Sequence, residues 1–449
     1  MTPEYQNHLG KYMKTISIGL IGLGTIGTGV VKLLHDNAGL IADRLGAKIS
    51  LKRIADIDID RPRGVPIEEG VLTRDATLVI NDPGIDIVVE LMGGNEPAKT
   101  FILQAIKQNK HIVTANKALL ATYGDGIFHD ASRQGVNIGF EASVGGTIPI
   151  IKTIKESLVA NHILSFAAIL NGTSNFILSK MTDEDKGFDE ALAEAQRLGF
   201  AEANPIYDIE GNDAAHKLTI LLSLAYGKKV STEAIYREGI SQISLQDIQL
   251  AKELGYRIKL LAIAILRNGV VEARLHPTMI PLDHLLANVN SNFNAFHIIG
   301  DASGSVFLYG QGAGMMPTAS AVVADIVDIT RDILKGIAGR VPPRVRDENA
   351  IEDIKLMPFD QIRTNYYFRF SVLDRPGVLS KISGILGEKD ISIATVIQKG
   401  RKQAGAVPIV MTTHKARELD VQNALEEIDR LDIVMGKTVL IRIEDDKLR

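Results

Sequence analysis

Short apolar runs, each ending in glycine or a polar tip, alternate with helical apolar patterns through the first third of the chain. Thr15–Ile21 (TISIGLI) is such a run, rich in β-branched residues and leading straight into glycine, which predicts a buried parallel strand. A second strand is expected over Lys48–Ala55, ending at Asp56, with a first helix that continues through Leu45. Residues 85–91 end in Met92-Gly93-Gly94, and residues 111–115 end in Asn116-Lys117. Residues 136–141 run into Ala142-Ser143-Val144-Gly145-Gly146-Thr147-Ile148-Pro149. Strands and helices in this alternation predict an α/β, doubly wound parallel sheet of Rossmann type, with ligands gathered at the carboxyl ends of its strands. The glycine-rich and polar tips fall at those ends.

From Pro149 to about Gly300 the alternation is less regular, with apolar stretches at 163–170 and 260–266. An α+β substrate and dimerisation domain is expected over 149–304. Gly310 to Ser320 then enters a long helix reaching about Ile337, where Pro317 and Thr318 suit a helix start. Val341-Pro342-Pro343-Arg344 opens a polar linker, 341–365. Beyond it the pattern reads strand 366–373, helix 377–388, strand 391–399, strand 406–413, helix 417–429 and strand 433–443, the βαββαβ order of a ferredoxin-like unit.

The first strand runs into Gly22-Leu23-Gly24-Thr25-Ile26-Gly27. In such a loop the first glycine permits the tight turn, the second lets the backbone approach a pyrophosphate, and the third lets helix and strand pack closely. The amides at the helix start then bind the anion. This predicts a dinucleotide site completed by Asp56, which would accept from the adenosine ribose hydroxyls and favour NAD. Lys52, Arg53, Arg61 and Arg63 are the basic residues nearby that would instead hold the 2'-phosphate of NADP. The choice between NAD and NADP stays open.

Composition narrows the function classes. Fifty basic against 54 acidic residues give a net charge of -4, which carries no nucleic-acid or anionic-membrane signature. The absence of cysteine removes disulfides, thiolate catalysis and thiolate metal sites together, and fits a cytoplasmic compartment. No uninterrupted apolar stretch of about 18 residues suggests a membrane span.

The most chemically loaded stretch is Gly199 to Leu224, GFAEANPIYDIEGNDAAHKLTILLSL. It is irregular and polar to Gly211, then helical, with Asn212 or Asp213 placed to cap the first turn. Asp213 and Lys217 are four apart and share a face. A surface ion pair is the ordinary reading of that spacing. The same face continues through Leu221 and Leu224, however, which puts the ammonium on the stripe expected to be buried. Burial and a nearby helix start both disfavour a charged lysine, which suits proton transfer. Glu202, Asp208 and Glu210 add carboxylates just upstream. The turn Asn171-Gly172-Thr173-Ser174-Asn175 either lines a pocket or simply reverses the chain.

Ala195, Gly199-Phe200-Ala201, Asn204-Pro205, Asp208-Ile209, Gly211, Asp213 and Lys217 have the residues and spacing of the homoserine dehydrogenase signature, and VTANKALL around Lys117 fits the same family. About ten fixed positions over about two dozen residues are far more specific than a short glycine motif. The resemblance implies reversible reduction of L-aspartate 4-semialdehyde to L-homoserine, in threonine, methionine and isoleucine biosynthesis. It implies that Glu202, Asp213 and Tyr207 bind the substrate, that Lys217 donates the proton, and that Lys117 reaches the nicotinamide side as a catalytic and cofactor residue. It further implies that Gly93 and Gly94 contribute to the cofactor site, that the helix after 304 completes the nucleotide domain of 1–148 through 305–340, and that Gly314 lies against the cofactor. The loop after residue 140 would coordinate a sodium-like cation through carbonyls of Glu141, Val144, Gly146 and Ile148, since oxygen donors suit a hard ion.

Asp374-Arg375-Pro376-Gly377-Val378-Leu379 resembles the hallmark loop of ACT domains, which often bind amino acids at paired interfaces. Threonine is the effector implied, and a homodimer or homotetramer the assembly. The module either senses an amino acid or only assists dimerisation. Two other readings of the whole chain are a related amino-acid dehydrogenase and a non-catalytic NAD(P)-binding amino-acid sensor. The complete signature argues against the first, and retention of Lys117, Asp213 and Lys217 against the second.

Overall fold

The computed structural model describes residues 13–227, 229–343, 355–398 and 406–444, so part of the expected linker, 344–354, lies outside the described residues. The chain divides into two compact units. The first comprises Met1–Asn161, His216–Thr232 and Leu308–Asp353.

The sheet of the first unit contains β1 (Thr15–Ile21), β2 (Lys48–Ala55), β3 (Leu72–Thr73), β4 (Ile87–Glu90), β5 (His111–Thr114) and β6 (Ile138–Gly139), in the spatial order β3-β2-β1-β4-β5-β6. The pairs are parallel, with Ile18 opposite Ile87 and Ile21 opposite Glu90. Ile87 to Glu90 are all buried, which is why this strand reads as a continuous apolar run rather than an alternation. The reversal of strand order between β1 and β4 puts the ends of these two strands at the switch point where such sheets bind ligands.

Two elements depart from the expected pattern. The first helix stops at Asp36, and a second, Ala38–Leu45, begins after Asn37. Asn37 leaves helical geometry, donating its N–H to Leu33 and accepting from Ile41, as a short polar side chain disfavoured in helix interiors readily does. The strand expected over 136–141 shrinks to two residues. Asp325 explains this, because its carboxylate takes the Glu141 N–H at 2.8 Å, and the next turn is a short helix, Glu141–Ser143.

Helix Met315–Lys335 packs against Thr25–Asp36 within this unit. Gly29 makes the approach possible, since a Cβ there would stand 2.9 Å from Met315 and 3.0 Å from Ala319. Ala319, Val322 and Ile326 join Ile18, Leu20 and Val30 in one buried core.

The second unit comprises His162–Ala215, Glu233–Phe307 and Ile354–Arg449. Its strands are β7 (Ile163–Ile169), β8 (Tyr236–Arg237), β9 (Tyr256–Arg267), β10 (Val270–Pro281), β11 (Phe293–Gly300), β12 (Gly304–Gln311), β13 (Arg363–Leu373), β14 (Ile393–Gln398), β15 (Ala406–Thr413), β16 (Ala416–Arg417) and β17 (Val439–Ile443). The main path is β12-β11-β7-β9-β10-β17-β13-β15-β14. β9 and β10 form a hairpin closed by Asn268-Gly269, both at positive φ, as the two-residue turns that match strand twist require.

The C-terminal strands and the helices Val378–Glu388 and Glu418–Asp429 follow the βαββαβ order. Tyr366, Phe368 and Phe370 on β13 bury themselves with Ile382, Leu386, Val421 and Ile428 from the two helices. Truncating one such phenylalanine costs about 3–5 kcal/mol. β17 pairs in parallel with β10, so this module continues the sheet of the preceding strands.

Candidate active site

The glycine loop has the geometry a dinucleotide needs. Gly22 has φ +102°, and a Cβ on it would meet the Leu91 carbonyl at 2.8 Å. A Cβ on Gly27 would collide with the Gly22 carbonyl oxygen, so helix and turn close together only with glycine there. Gly24 caps helix Thr25–Asp36 without a side-chain hydrogen bond, no acidic residue occupies the first turn, and Gly24 and Thr25 are exposed while Ile26 is half-buried. An exposed, uncapped helix start of this kind accepts an anion. These residues fit a bound dinucleotide.

Asp56 is built into the loop. It accepts from the Leu23 amide at 2.5 Å and from Asp58 at 2.8 Å. Arg63 completes the brace, donating Nε to the Leu23 carbonyl at 2.7 Å and lying 3.4 Å from Asp56. Among the nearby basic side chains, Arg63 is therefore on Asp56, whereas Lys52 and Arg53 both pair with Asp82, at 2.8 and 3.6 Å. The side chain of Arg61 is exposed.

The tips of β4 and β5 are tied by a buried relay that local patterns did not reveal. Glu90 accepts from the Met92 amide at 2.8 Å and the Thr114 hydroxyl at 2.6 Å. Asn116 donates to the Gly94 carbonyl at 2.6 Å and caps helix Lys117–Gln134 by accepting from Leu119. Burial pushes the Glu90 carboxyl up, against the opposing pull of these hydrogen bonds. The relay holds exposed Gly93 and Gly94 at positive φ and sets half-buried Lys117 as the first helical residue beyond them. An acidic residue ending the apolar run IVVE was the available signal. Gly314, at φ +127° and exposed, caps Met315–Lys335.

Glu141, Val144, Gly146 and Ile148 all lie buried in one loop. Gly145 and Gly146 have positive φ, and a Cβ on Gly146 would stand 2.6 Å from the backbone of Gly312. The Glu141 carboxylate accepts from the amides of Ile151 and Lys152, at 2.8 and 3.0 Å, at the start of the next helix. Burial pushes it up to about 7, with the Asp325 carboxylate as the second cause. The Ile148 carbonyl accepts from Ile150 at 2.7 Å, which leaves it a second lone pair. Among the described residues no three histidine or acidic side chains cluster to hold a metal, so a cation in this loop would rest on backbone oxygens, the donor type that suits a hard monovalent ion.

Asp213 and Lys217 lie in the first two turns of helix Asn212–Tyr226, at 5% and 8% exposure. An ordinary surface pair would not be buried in this way. The helix starts at Asn212, so Gly211 takes the capping position expected of Asn212 or Asp213. The segment before it keeps Glu202 exposed and Tyr207 half-exposed. Burial pushes the Tyr207 phenol up to about 12, helped by the carboxylates of Asp213 and Asp208 beside it.

The 171–175 turn proves to be a helix start, with Asn171 capping Gly172–Asp183. Thr173 donates to the Phe200 carbonyl at 2.5 Å and Ser174 to that of Asp208 at 3.1 Å. Asn171 donates to Asp208 at 2.7 Å and Asp213 at 2.9 Å. The fold thus assembles Asn171, Asp208 and Asp213, with Tyr207 next to them.

Three family models match the chain in order: homoserine dehydrogenase NAD binding domain over residues 22–141, homoserine dehydrogenase over 149–327 and ACT domain over 366–432. The homoserine dehydrogenase of Neisseria gonorrhoeae is 45% identical over 432 residues, spanning 96% of this chain and 99% of that protein. A homoserine dehydrogenase crystal structure from Thiobacillus denitrificans matches at 48% identity with a TM-score of 0.90, over 96% of this chain and 99% of its own. A hyperthermophilic archaeal homoserine dehydrogenase mutant, solved in complex with NADPH, matches 73% of this chain and all of its own at 26% identity and a TM-score of 0.61. With relatives matched nearly end to end and a nucleotide loop that fits a nicotinamide cofactor, the chain belongs to the homoserine dehydrogenase family of NAD(P)-dependent oxidoreductases and carries a C-terminal ACT domain.

Proposed function

We propose that the chain interconverts L-homoserine and L-aspartate 4-semialdehyde, with Lys217 as the proton donor to the aldehyde oxygen. The observation that carries this role is the burial of Asp213 and Lys217 one turn apart on a single helix. When bound, the nicotinamide supplies the hydride in the direction of reduction. An oxygen gaining negative charge needs a proton from a group held in a dry site, and a buried ammonium meets that need. Asp213 orients Lys217 or the substrate. Glu202 and Tyr207 hold the substrate's polar groups from the segment that precedes the helix. Lys117, at the end of β5, stabilises the developing oxyanion or holds the nicotinamide.

Gly22 to Gly27, Gly93, Gly94 and Gly314 form the cofactor cradle in this reading, with Asp56 and the neighbouring arginines setting the balance between NAD and NADP. The carbonyls of Glu141, Val144, Gly146 and Ile148 hold a sodium-like cation, whose charge fixes the loop. The ACT domain takes threonine as effector, in a cytoplasmic homodimer or homotetramer. Among the described residues no helix is long and apolar enough to cross a membrane.

The test is the absorbance of the reduced cofactor with homoserine and each oxidised nucleotide, for the parent and for Lys217→Ala. We expect turnover in the parent and a kcat lower by about 10²–10⁴-fold in the variant, with cofactor affinity retained. Near-normal kcat in the variant would move the proton to another donor.

A further inference from the structure

We propose that Asn171 is a positioning residue of the reaction, one carboxamide that fixes the Asp208 and Asp213 carboxylates side by side. The inference rests on the reading that places Asp213 and Lys217 in the site.

The orientation of the amide follows without reference to the carboxylates. Asn171 Oδ1 lies 2.8 Å from the Ser174 backbone nitrogen, which can only donate, so the oxygen must face it. Both amide hydrogens then point the other way, one to Asp208 Oδ1 at 2.7 Å and one to Asp213 Oδ2 at 2.9 Å. Asn171 and Asp213 are each 5% exposed, and Asp208 is half-buried. Every hydrogen-bonding group of the side chain is thereby engaged, which leaves it no alternative rotamer of equal energy.

Two carboxylates sharing one donor repel each other, and this alone would favour a proton on one of them. An amide N–H can only donate, and donation to a carboxylate oxygen favours its charged form, so the two donations offset part of that repulsion. The second consequence is geometric. Asp213 stands one turn before Lys217, so fixing its carboxylate fixes the acceptor that faces the same side of the helix as the ammonium. Asp208 is bound at its side chain by Asn171 and at its carbonyl by Ser174, which ties the short helix Ile206–Ile209, where the sequence pattern reads as irregular, to the same helix start.

Asn175, one turn on, shows the contrast. Its amide donates to the carbonyls of Val289, Ser291 and Phe293 and its oxygen accepts from Lys259, a purely internal set of bonds.

Capping and positioning can be separated by substitution. Serine is as good a helix cap as asparagine but is too short to reach both carboxylates. In Asn171→Ser we expect the helix cap to be kept and the melting temperature to fall by only a few degrees for the two lost donations, while kcat/KM for homoserine falls about 10- to 100-fold, the scale of lost hydrogen bonds to charged groups, with the KM for cofactor unchanged. In Asn171→Asp the acceptor to Ser174 is kept and a third carboxylate replaces the donor. That cluster should take up a proton, which can serve as the missing donor, so the activity of this variant relative to the parent should be highest at acid pH and decline as the pH rises. A parental kcat/KM in Asn171→Ser, or an Asn171→Asp profile parallel to the parent, overturns the proposal. Lys217→Ala and Asp213→Ala are run alongside. If those two keep full turnover, the reading of the site fails and the proposal with it. If they lose turnover while Asn171→Ser does not, the site stands and only the role of Asn171 is overturned.

Discussion

Arg442 on β17 stands in parallel register with Thr278 on β10, so the last strand of the C-terminal module is a sheet neighbour of a strand more than a hundred residues earlier in the chain, before the module begins. Side chains reinforce the join. Arg274 on β10, fully buried, bonds to Glu444 at 2.5 Å and lies 2.9 Å from Glu272. Arg442 pairs with Glu418 at 2.5 Å and with Glu238, beside β8, at 2.9 Å. Removing one partner of a buried pair is far costlier than the pair's own net contribution, at about 3–5 kcal/mol.

We therefore expect Glu444→Ala to lower the melting temperature by several degrees, because it leaves Arg274 with fewer acceptors in a buried place. Deletion of the module from residue 355 onward should be worse, since it also strips β10 of a neighbour and exposes an edge. The check is thermal unfolding of both variants. A truncated chain as stable as the parent would show that the join carries no stability.

Glu90 gives a pH dependence with a definite sign. Its carboxyl is raised in the folded protein above the ordinary value of 4.5, chiefly by burial. The folded state therefore holds the proton over a range where the unfolded chain has lost it, and stability falls as the pH rises above about 4.5. In Glu90→Gln that loss should vanish. The melting temperature of the variant minus that of the parent should increase between pH 5 and pH 8, and a constant difference would refute the assignment.

The parts of the fold legible in the sequence were those written in local patterns. β1, β2 and the glycine loop need only a run of β-branched residues and glycines at fixed spacing, and the βαββαβ order of the C-terminal module needs only six such local readings. The parts that were not legible depend on side chains distant in sequence. Asp325 cuts β6 short from a helix nearly two hundred residues away, and Asn171 meets Asp208 and Asp213 from 37 and 42 residues away. Neither is visible to a window of a dozen residues. Burial of Lys217 was legible, because Leu221 and Leu224 continue its face.

Cofactor choice should follow Arg63 as much as Asp56. Arg63 holds Leu23 and Asp56 together, at 2.7 and 3.4 Å, and is the guanidinium held on the Asp56 carboxylate. Arg53, paired with Asp82, should matter less. We expect Arg63→Ala to lower kcat/KM for NADP more than for NAD, and Asp56→Ser to shift the ratio toward NADP. If Arg53→Ala moves the ratio more than Arg63→Ala does, the brace on Asp56 is structural and the phosphate lies elsewhere.

The ACT domain offers the last test. Gly377, at φ +88° and exposed, caps helix Val378–Glu388 without any side-chain hydrogen bond; the Val378 amide donates to the Arg375 carbonyl at 3.4 Å, and the next two residues, Leu379 and Ser380, are exposed. Amides at a helix start suit a carboxylate, and an amino-acid effector carries one. An effector acts only through different affinities for two states of the enzyme, so its inhibition must be reciprocal with substrate or cofactor binding. Threonine should thus weaken homoserine or cofactor binding by the factor by which either weakens threonine. Gly377→Asp supplies an internal carboxylate to the same amides and adds a Cβ where φ is positive, so we expect it to raise the threonine concentration for half inhibition at least several-fold while kcat without effector stays near the parent. Titration calorimetry and inhibition curves on the full chain check both statements. Absence of any response to millimolar threonine in the parent would leave the ACT domain with the sheet-joining role that Arg274 and Arg442 already give it.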